Sequence, residues 1–260
     1  MKKVLLQSAM LLTASLVSLT LNAQTEEYPK PEPMRPGMSE FWLPQPVKVA
    51  PGDIKTNTAP SDAIVLFDGK DLSAWENSKG EAAGWNVNAD GTATVAKNAG
   101  DIRTKQKFEN FQLHIEWSIP TNISGKSQSR GNSGVYLQGL YELQVLDSYN
   151  NETYANGQAG SIYKQSPPLV NAMRKPGEWN VYDVIYTAPV FKDDGTYRTP
   201  PIVTVLHNGV LVQNGFHILG TTEYVGFPRV EKHGAGPILL QSHGDPSEPI
   251  KFRNIWIREL

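Results

Sequence analysis

The sequence contains no cysteine. A disulfide framework, a thiolate metal site and thiol redox chemistry are therefore excluded. It also lacks a surplus of either charge: 24 Lys and Arg stand against 26 Asp and Glu, a net charge of −2 over 260 residues. With no basic field to hold a phosphate backbone, nucleic acid is not an expected partner. No His-x-x-x-His pair and no Asp-rich calcium loop occurs. No cofactor is predicted, and a divalent metal stays open. The Gly-x-Ser-x-Gly elbow of serine hydrolases is missing, so a nucleophilic serine is unsupported. No stretch beyond the first residues shows a helical stripe of apolar side chains.

What is present begins with a leader. Lys2 and Lys3 precede an apolar run, Val4–Leu6 and then Met10–Leu21, followed by Asn22-Ala23-Gln24. This is the layout of a secretory signal cleaved after Ala23. The run is short and broken by Ser and Thr, which disfavours an uncleaved anchor. With no Cys to accept lipid, the expected location is periplasmic or secreted, without stable membrane insertion. Residues 24–60 hold 8 of the 19 prolines. Such a segment reads as an extended arm, not a helix or central strand. Residues 61–260 form one uninterrupted block without internal repeats.

In that block the dominant period is two. Phe111, Leu113, Ile115, Trp117 and Ile119 alternate with Gln112, His114, Glu116 and Ser118. Tyr141, Leu143 and Val145 alternate with Glu142 and Gln144. Less regular versions run through Val181–Tyr186 and Ile238–His243. These are half-buried strands. Asn208-Gly209 between Ile202–Leu206 and Val210–Val212 signals a tight hairpin. Many short strands joined by Gly, Asn and Pro loops predict an all-β jelly-roll sandwich of two antiparallel sheets. Polar residues alternating with the core would line an open concave face.

Several polar residues on such strands could do chemistry. Glu142 and Gln144 share one face. Asp147 joins them only if a bulge follows Gln144. The spacing Glu-x-Gln-x-x-Asp is similar to the Glu-x-Asp-x-x-Glu strand of laminarinase-type glycosidases, with Gln144 in place of the middle acid. Gln241 and His243 share a second face, and a histidine titrates near working pH. Ser129-Arg130-Gly131-Asn132-Ser133-Gly134 is a Gly-rich turn that admits a ligand close to the backbone. Arg130 there suits a carbonyl or hydroxyl oxygen. Tyr163 and Lys164, in a loop after a polar stretch, suit an acid or an oxyanion partner. Glu116 is a second carboxylate of the site if its strand lies in the concave sheet, and a solvated side chain if it lies in the other.

Six segments occur in an order that resembles the 3-keto-disaccharide hydrolase family, also described as 3-keto-glycoside 1,2-lyases and 3-keto-2-hydroxyglucal hydratases. They are Val65–Trp75, Gly131–Tyr136, Tyr141–Asp147, Lys175–Asn180, Gly236–Gly244 and Phe252–Ile257. The resemblance covers residues 61–260, with Phe191–Pro201 as a local insertion. It implies a concanavalin- or laminin-G-like jelly roll and exported sugar chemistry on an oxidised glycoside. A ketone at carbon 3 acidifies the hydrogen on carbon 2, so cleavage proceeds by elimination. That scheme needs a base, an enolate stabiliser and an acid for the leaving group. It implies His243 or Glu142 as base, and Arg130 or Lys164 as oxyanion partner. Gln144 and Gln241 would hold hydroxyls, with Asn132, Asp147, Tyr163 and Arg253 as further contacts. Two other readings stay open. One is a conventional glycoside hydrolase using Glu142 with Glu116 or Asp147; the other is a non-catalytic carbohydrate-binding module. The sequence does not indicate an oligomeric state.

Overall fold

Short alternating segments separated by turn residues become strands wherever one side can be buried. The computed structural model describes residues 31–260 except 54, 57, 97 and 245–248. The expected leader (1–23) and the first part of the arm (24–30) lie outside the described residues. The chain divides into two units, one ending at Val47 and the other spanning Lys48–Leu260. In the first, Pro36–Ser39 forms a single 3-10 turn with proline in its first turn, where the missing N–H is not needed.

Among the described residues the second unit has fifteen strands. They are β1 (Ile64–Phe67), β2 (Trp75–Asn77), β3 (Asn86–Val87), β4 (Ala93–Thr94), β5 (Ile102–Thr104), β6 (Phe111–Ser118), β7 (Ser133–Leu137) and β8 (Tyr141–Val145). There follow β9 (Trp179–Thr187), β10 (Val190–Phe191), β11 (Tyr197–Thr199), β12 (Ile202–His207), β13 (Val210–His217), β14 (Leu239–Leu240) and β15 (Lys251–Glu259). An eight-stranded sheet runs β13-β12-β9-β6-β15-β4-β3, with β1 also paired to β15. A five-stranded sheet runs β2-β5-β14-β7-β8. All pairings in both sheets are antiparallel. The expected all-β jelly-roll sandwich is therefore what forms. The segment read as an insertion closes on itself as the β10–β11 hairpin.

The inner faces make the core. Leu113, Ile115 and Trp117 of β6 join Val135 and Leu137 of β7 and Leu143 and Val145 of β8, all fully buried. Trp117 packs on Tyr182 (centroids 5.3 Å apart) and Phe111 stacks on Tyr186 (4.9 Å). A buried phenol needs a partner for its hydroxyl. Tyr182 donates to the Gln144 carbonyl at 2.7 Å, from the larger sheet to the smaller one. Tyr186 donates to Gln138 Oε1 at 2.8 Å. Asn208 and Gly209 both have positive φ (54° and 79°). They close the β12–β13 hairpin between the paired His207 and Val210, the geometry an Asn-Gly turn favours.

In β15, Asn254 has φ 45°. The register against β6 shifts between Arg253 and Trp256. This β-bulge lets the Asn254 side chain reach back to Glu116 Oε1 at 2.8 Å.

Removing only the hydroxyl that joins the sheets tests its contribution. Tyr182→Phe should lower stability by about 1 kcal/mol, read from urea unfolding at neutral pH. The Gln144 carbonyl keeps a second donor, the Gly160 N–H at 3.0 Å, so a loss well beyond this range would contradict the assignment.

Candidate functional site

Because Tyr141, Leu143 and Val145 are committed to the core, Glu142 and Gln144 must project from the outer face of the smaller sheet. Tyr136 and Asn132 project from the same face beside them. On β14, Leu240 packs inward, which turns Gln241 and His243 outward. These side chains meet over a cavity of about 530 Å³. Of the residues expected to act together, Glu142, His243, Lys164, Asn132, Gln144, Tyr163 and Gln241 all line it.

The floor depends on a missing side chain. A Cβ at Gly134 would lie 2.7 Å from Glu142 Oε1 and 2.9 Å from Tyr136 Cε2. Glycine thus lets the Glu142 carboxyl lie across β7. There Tyr136 Oη donates to Glu142 Oε2 at 3.0 Å, and Gln241 Nε2 donates to Tyr136 Oη at 3.3 Å. The Gln144 amide spans the gap beyond. One orientation puts its NH2 on Glu142 Oε1 (3.0 Å) and Ser133 O (3.1 Å); the other puts it on Gln128 Oε1 (2.9 Å). Gln241 Oε1 is buried without a protein partner, an unmet acceptor next to the cavity.

Glu142 is 4% exposed. Burial pushes its pKa up from 4.5 to about 7. The Tyr136 hydrogen bond and the charges of His243 and Lys164 pull the other way without prevailing, and Asp101 adds to the rise. A carboxyl tuned to neutrality is suited to accept a proton at working pH. Tyr136 is itself raised well above an ordinary phenol, first by burial and then by Glu142. It therefore stays a neutral donor.

One rim comes from residues 160–164, which run along the otherwise open edge of β8. Tyr163 N–H donates to Glu142 O at 3.0 Å and Gln144 N–H to Ser161 O at 3.0 Å. This pairing explains why a segment that reads as a loop delivers Tyr163 and Lys164 beside Glu142. Lys164 has φ 58°, and its Nζ donates to the Tyr224 carbonyl. The ammonium lies 4.6 Å from the Tyr224 ring and 5.5 Å from that of Tyr163. On another side, the Asn132 amide approaches His243 Nε2 at 3.4 Å.

Four expected site residues are placed elsewhere. Arg130 Nε pairs with Asp147 Oδ2 at 2.6 Å. Asp147 is fully buried, and its Oδ1 accepts from Tyr149 N–H at 3.0 Å. No bulge returns Asp147 to the Glu142 face; it turns instead to brace the Gly-rich turn. Glu116 and Arg253 belong to the larger sheet. They sit on its outer face, across the core from the cavity. Glu116 Oε2 accepts from Arg253 Nε at 2.6 Å, and the guanidinium lies 3.9 Å from the Trp179 ring.

Gln128, Tyr154, Thr222 and Tyr224 line the cavity as well and were not in the expected set; Ser129 of the Gly-rich turn and Tyr136 of β7 line it too. Thr222 is tied to the site backbone, its Oγ1 accepting from Glu142 N–H at 2.9 Å. Among the described residues, no group of three or more His, Cys, Asp or Glu is placed to hold a metal ion. No helix among them is long and apolar enough to cross a membrane.

Fold and site define an antiparallel sandwich with a polar, ring-sized trough on one sheet, built around a single desolvated carboxyl. The chain belongs to the 3-keto-alpha-glucoside-1,2-lyase-like domain family, which matches residues 62–258. A crystal structure from Parabacteroides distasonis, described as a candidate glycosyl hydrolase, is 71% identical with a TM-score of 0.84. The match covers 87% of this chain and 97% of that one. A second candidate glycosyl hydrolase from the same organism is 23% identical over 76% of this chain and 94% of its own, with a TM-score of 0.55, and shows the fold alone. A 3-keto-disaccharide hydrolase of Bacteroides thetaiotaomicron is 24% identical, covering 77% of this chain and 80% of its own length.

The raised pKa carries a stability consequence with a definite sign. The folded state holds a proton on Glu142 more tightly than the unfolded chain does. Its contribution is intact in acid and declines as pH rises from about 4.5 through about 7. Glu142→Gln removes that loss. The variant should match the wild type near pH 4 and exceed it at pH 8 by up to about 3 kcal/mol. Urea unfolding at the two pH values checks this, and a difference independent of pH would contradict it.

Proposed function

We propose that this protein is an exported enzyme that cleaves the glycosidic bond of 3-keto-glycosides by elimination, with hydration of the product making the net reaction a hydrolysis. The observation that carries the reading is the carboxyl count. Among the described residues lining the cavity, Glu142 is the only carboxylate. A conventional glycosidase needs two carboxylates flanking the bond. The candidates for a second, Glu116 and Asp147, are each held by an arginine outside the cavity. Elimination needs one base. The family match and the name of the Bacteroides relative support the same chemistry. The export reading rests on the leader-like residues 1–23.

In this scheme the oxidised sugar ring occupies the trough. The Glu142 carboxylate takes the proton from carbon 2. The C–H electron pair forms an enolate with the carbon-3 oxygen. The enolate then collapses: the ketone re-forms, a double bond forms between carbons 1 and 2, and the carbon 1–oxygen bond breaks toward the leaving oxygen, which takes a proton from water while the carbon-2 proton stays on Glu142 until the base is regenerated. Tyr136 and Gln144 aim the base. The Lys164 ammonium and the His243 imidazole stand on the rim, where they offset the negative charge passing from enolate to leaving group. Gln241 and Asn132 receive hydroxyls. Water adding across the new double bond completes hydrolysis. A non-catalytic binding module would have no use for a carboxyl held near pKa 7.

Matched methyl glucoside and methyl 3-keto-glucoside separate the readings. Only the ketone should be cleaved, with kcat/KM rising with pH through about 7 as Glu142 ionises. Glu142→Gln should cost about 10²- to 10⁴-fold in kcat/KM, and His243→Asn a smaller factor. Cleavage of the unoxidised glucoside, or full activity in both variants, would end the proposal.

A further inference from the structure

A second cavity of about 360 Å³ opens beside the trough. Tyr154, Tyr163 and Lys164 line both, so these three side chains form the shared wall. The far side is the tip of a loop over residues 219–230. Its base is fastened: Thr221 N–H donates to Arg229 O at 2.9 Å, and Thr222 N–H to Leu140 O at 2.9 Å. Gly220 packs so closely that a Cβ there would come 2.5 Å from the Arg229 carbonyl oxygen. The tip is apolar and open to solvent, with Tyr224 79% exposed and Phe227 90% exposed. Single exposed apolar residues need no explanation. A group of them on a braced loop next to a cavity marks a contact surface.

The two cavities differ in their polar lining. The trough offers Glu142, Gln144, Asn132 and Gln241 to a hydroxylated ring. In the second cavity most polar side chains already serve each other, the Asn156 amide being the exception. Glu223 Oε1 accepts from Thr221 Oγ1 (2.9 Å) and Arg229 Nε (2.9 Å). The hydroxyls of Tyr154 and Tyr163 bond together at 2.6 Å, and Lys164 Nζ is on the Tyr224 carbonyl. Asn156, Gly226, Phe227 and Pro228 complete the lining. A sugar placed here would find few partners for its hydroxyls, and burying unmet hydroxyls is unfavourable. A flat apolar ring would find aromatic faces and a proline.

We infer that this second cavity is the leaving-group subsite, and that it takes an aromatic aglycone rather than a second sugar. The inference rests on the proposed cleavage of 3-keto-glycosides in the trough. With the sugar ring on Glu142 and the aglycone on Phe227, the scissile oxygen falls at the shared wall. Lys164 and Tyr163 are then next to the departing oxygen. Phe227, which is fully outside the trough, becomes the specificity-determining residue.

Methyl, benzyl and glucosyl 3-keto-glucosides test this. Methanol and benzyl alcohol are of similar acidity, so their inherent leaving abilities are close. The wild type should cleave the benzyl glycoside with kcat/KM about tenfold above the methyl one, the gain expected from stacking and burying one ring. In Phe227→Ala that ratio should fall to near one, chiefly through KM. Equal turnover of benzyl and methyl substrates by the wild type overturns the subsite while leaving the elimination reading intact. So does a ratio that Phe227→Ala leaves unchanged. Preference for the glucosyl substrate, lost in Phe227→Ala, keeps the subsite but overturns its aromatic occupant. Failure to cleave any of the three removes the elimination reading and the subsite with it.

Discussion

A carboxyl group can be kept nearly dry only if the backbone beneath it cannot yield. In β8 that backbone is fixed from below. Tyr141, Leu143 and Val145 are fully buried in a core as dense as a molecular crystal. The Tyr182 hydroxyl grips the Gln144 carbonyl from the opposite sheet. From the side, residues 160–164 pair with the strand edge. Glu142 is therefore not free to swing into water and recover an ordinary pKa. The core, the cross-sheet hydrogen bond and the edge pairing all serve one local condition, on which the arrangement of the trough depends.

The molecule contains its own control for this argument. Glu116 exposes as little surface as Glu142, although it lies less deep, and bonds from His114, Asn254 and Arg253 overcome its burial and hold it down at about 2. The His114 ring is in turn bonded to Asp183 at 2.7 Å and stacked on Trp256 at a centroid distance of 5.0 Å. Two carboxyls of the same type, on the outer faces of two packed sheets, thus titrate about five pH units apart. Burial acts on both. It weighs more heavily on Glu142, and only Glu116 has an arginine and a histidine in contact with the charge. The first carboxyl is a structural anion, committed at every physiological pH. The second is left able to exchange a proton.

Alternation made the strands legible, and with them the pairing of Glu142 with Gln144 on one side and Leu143 with Val145 on the other. The Gly-rich turn at 131–134 read as a place where a ligand comes close; what lies across Gly134 in the structure is the Glu142 carboxyl. Sheet membership was not legible. Period two tells which residues share a face, but not which of two sheets a strand joins, so Glu116 stayed ambiguous until β6 was seen between β9 and β15. The fate of Asp147 depended on Arg130, seventeen positions earlier, and on a strand that ends at Val145. Thr222 and Tyr224 carry no periodic signal at all. They reach the site because their loop is hydrogen-bonded to Leu140, a contact over more than eighty residues. His243 and Gln241 were legible as a pair, although the strand that aims them, β14, has only two residues.

The loop fastened between Thr221 and Arg229 divides labour in a way that bears on how such a protein diversifies. Its anchors contact the site backbone, whereas Phe227 and Pro228 at its far end face the second cavity alone. Tyr224 is tied to Lys164 and lines the trough, but Phe227 and Pro228 line only the second cavity and can be rewritten by drift or by grafting without disturbing the proton-handling carboxyl. A lineage, or an engineer, gains a replaceable cassette for choosing cargo, seated beside chemistry that must stay fixed.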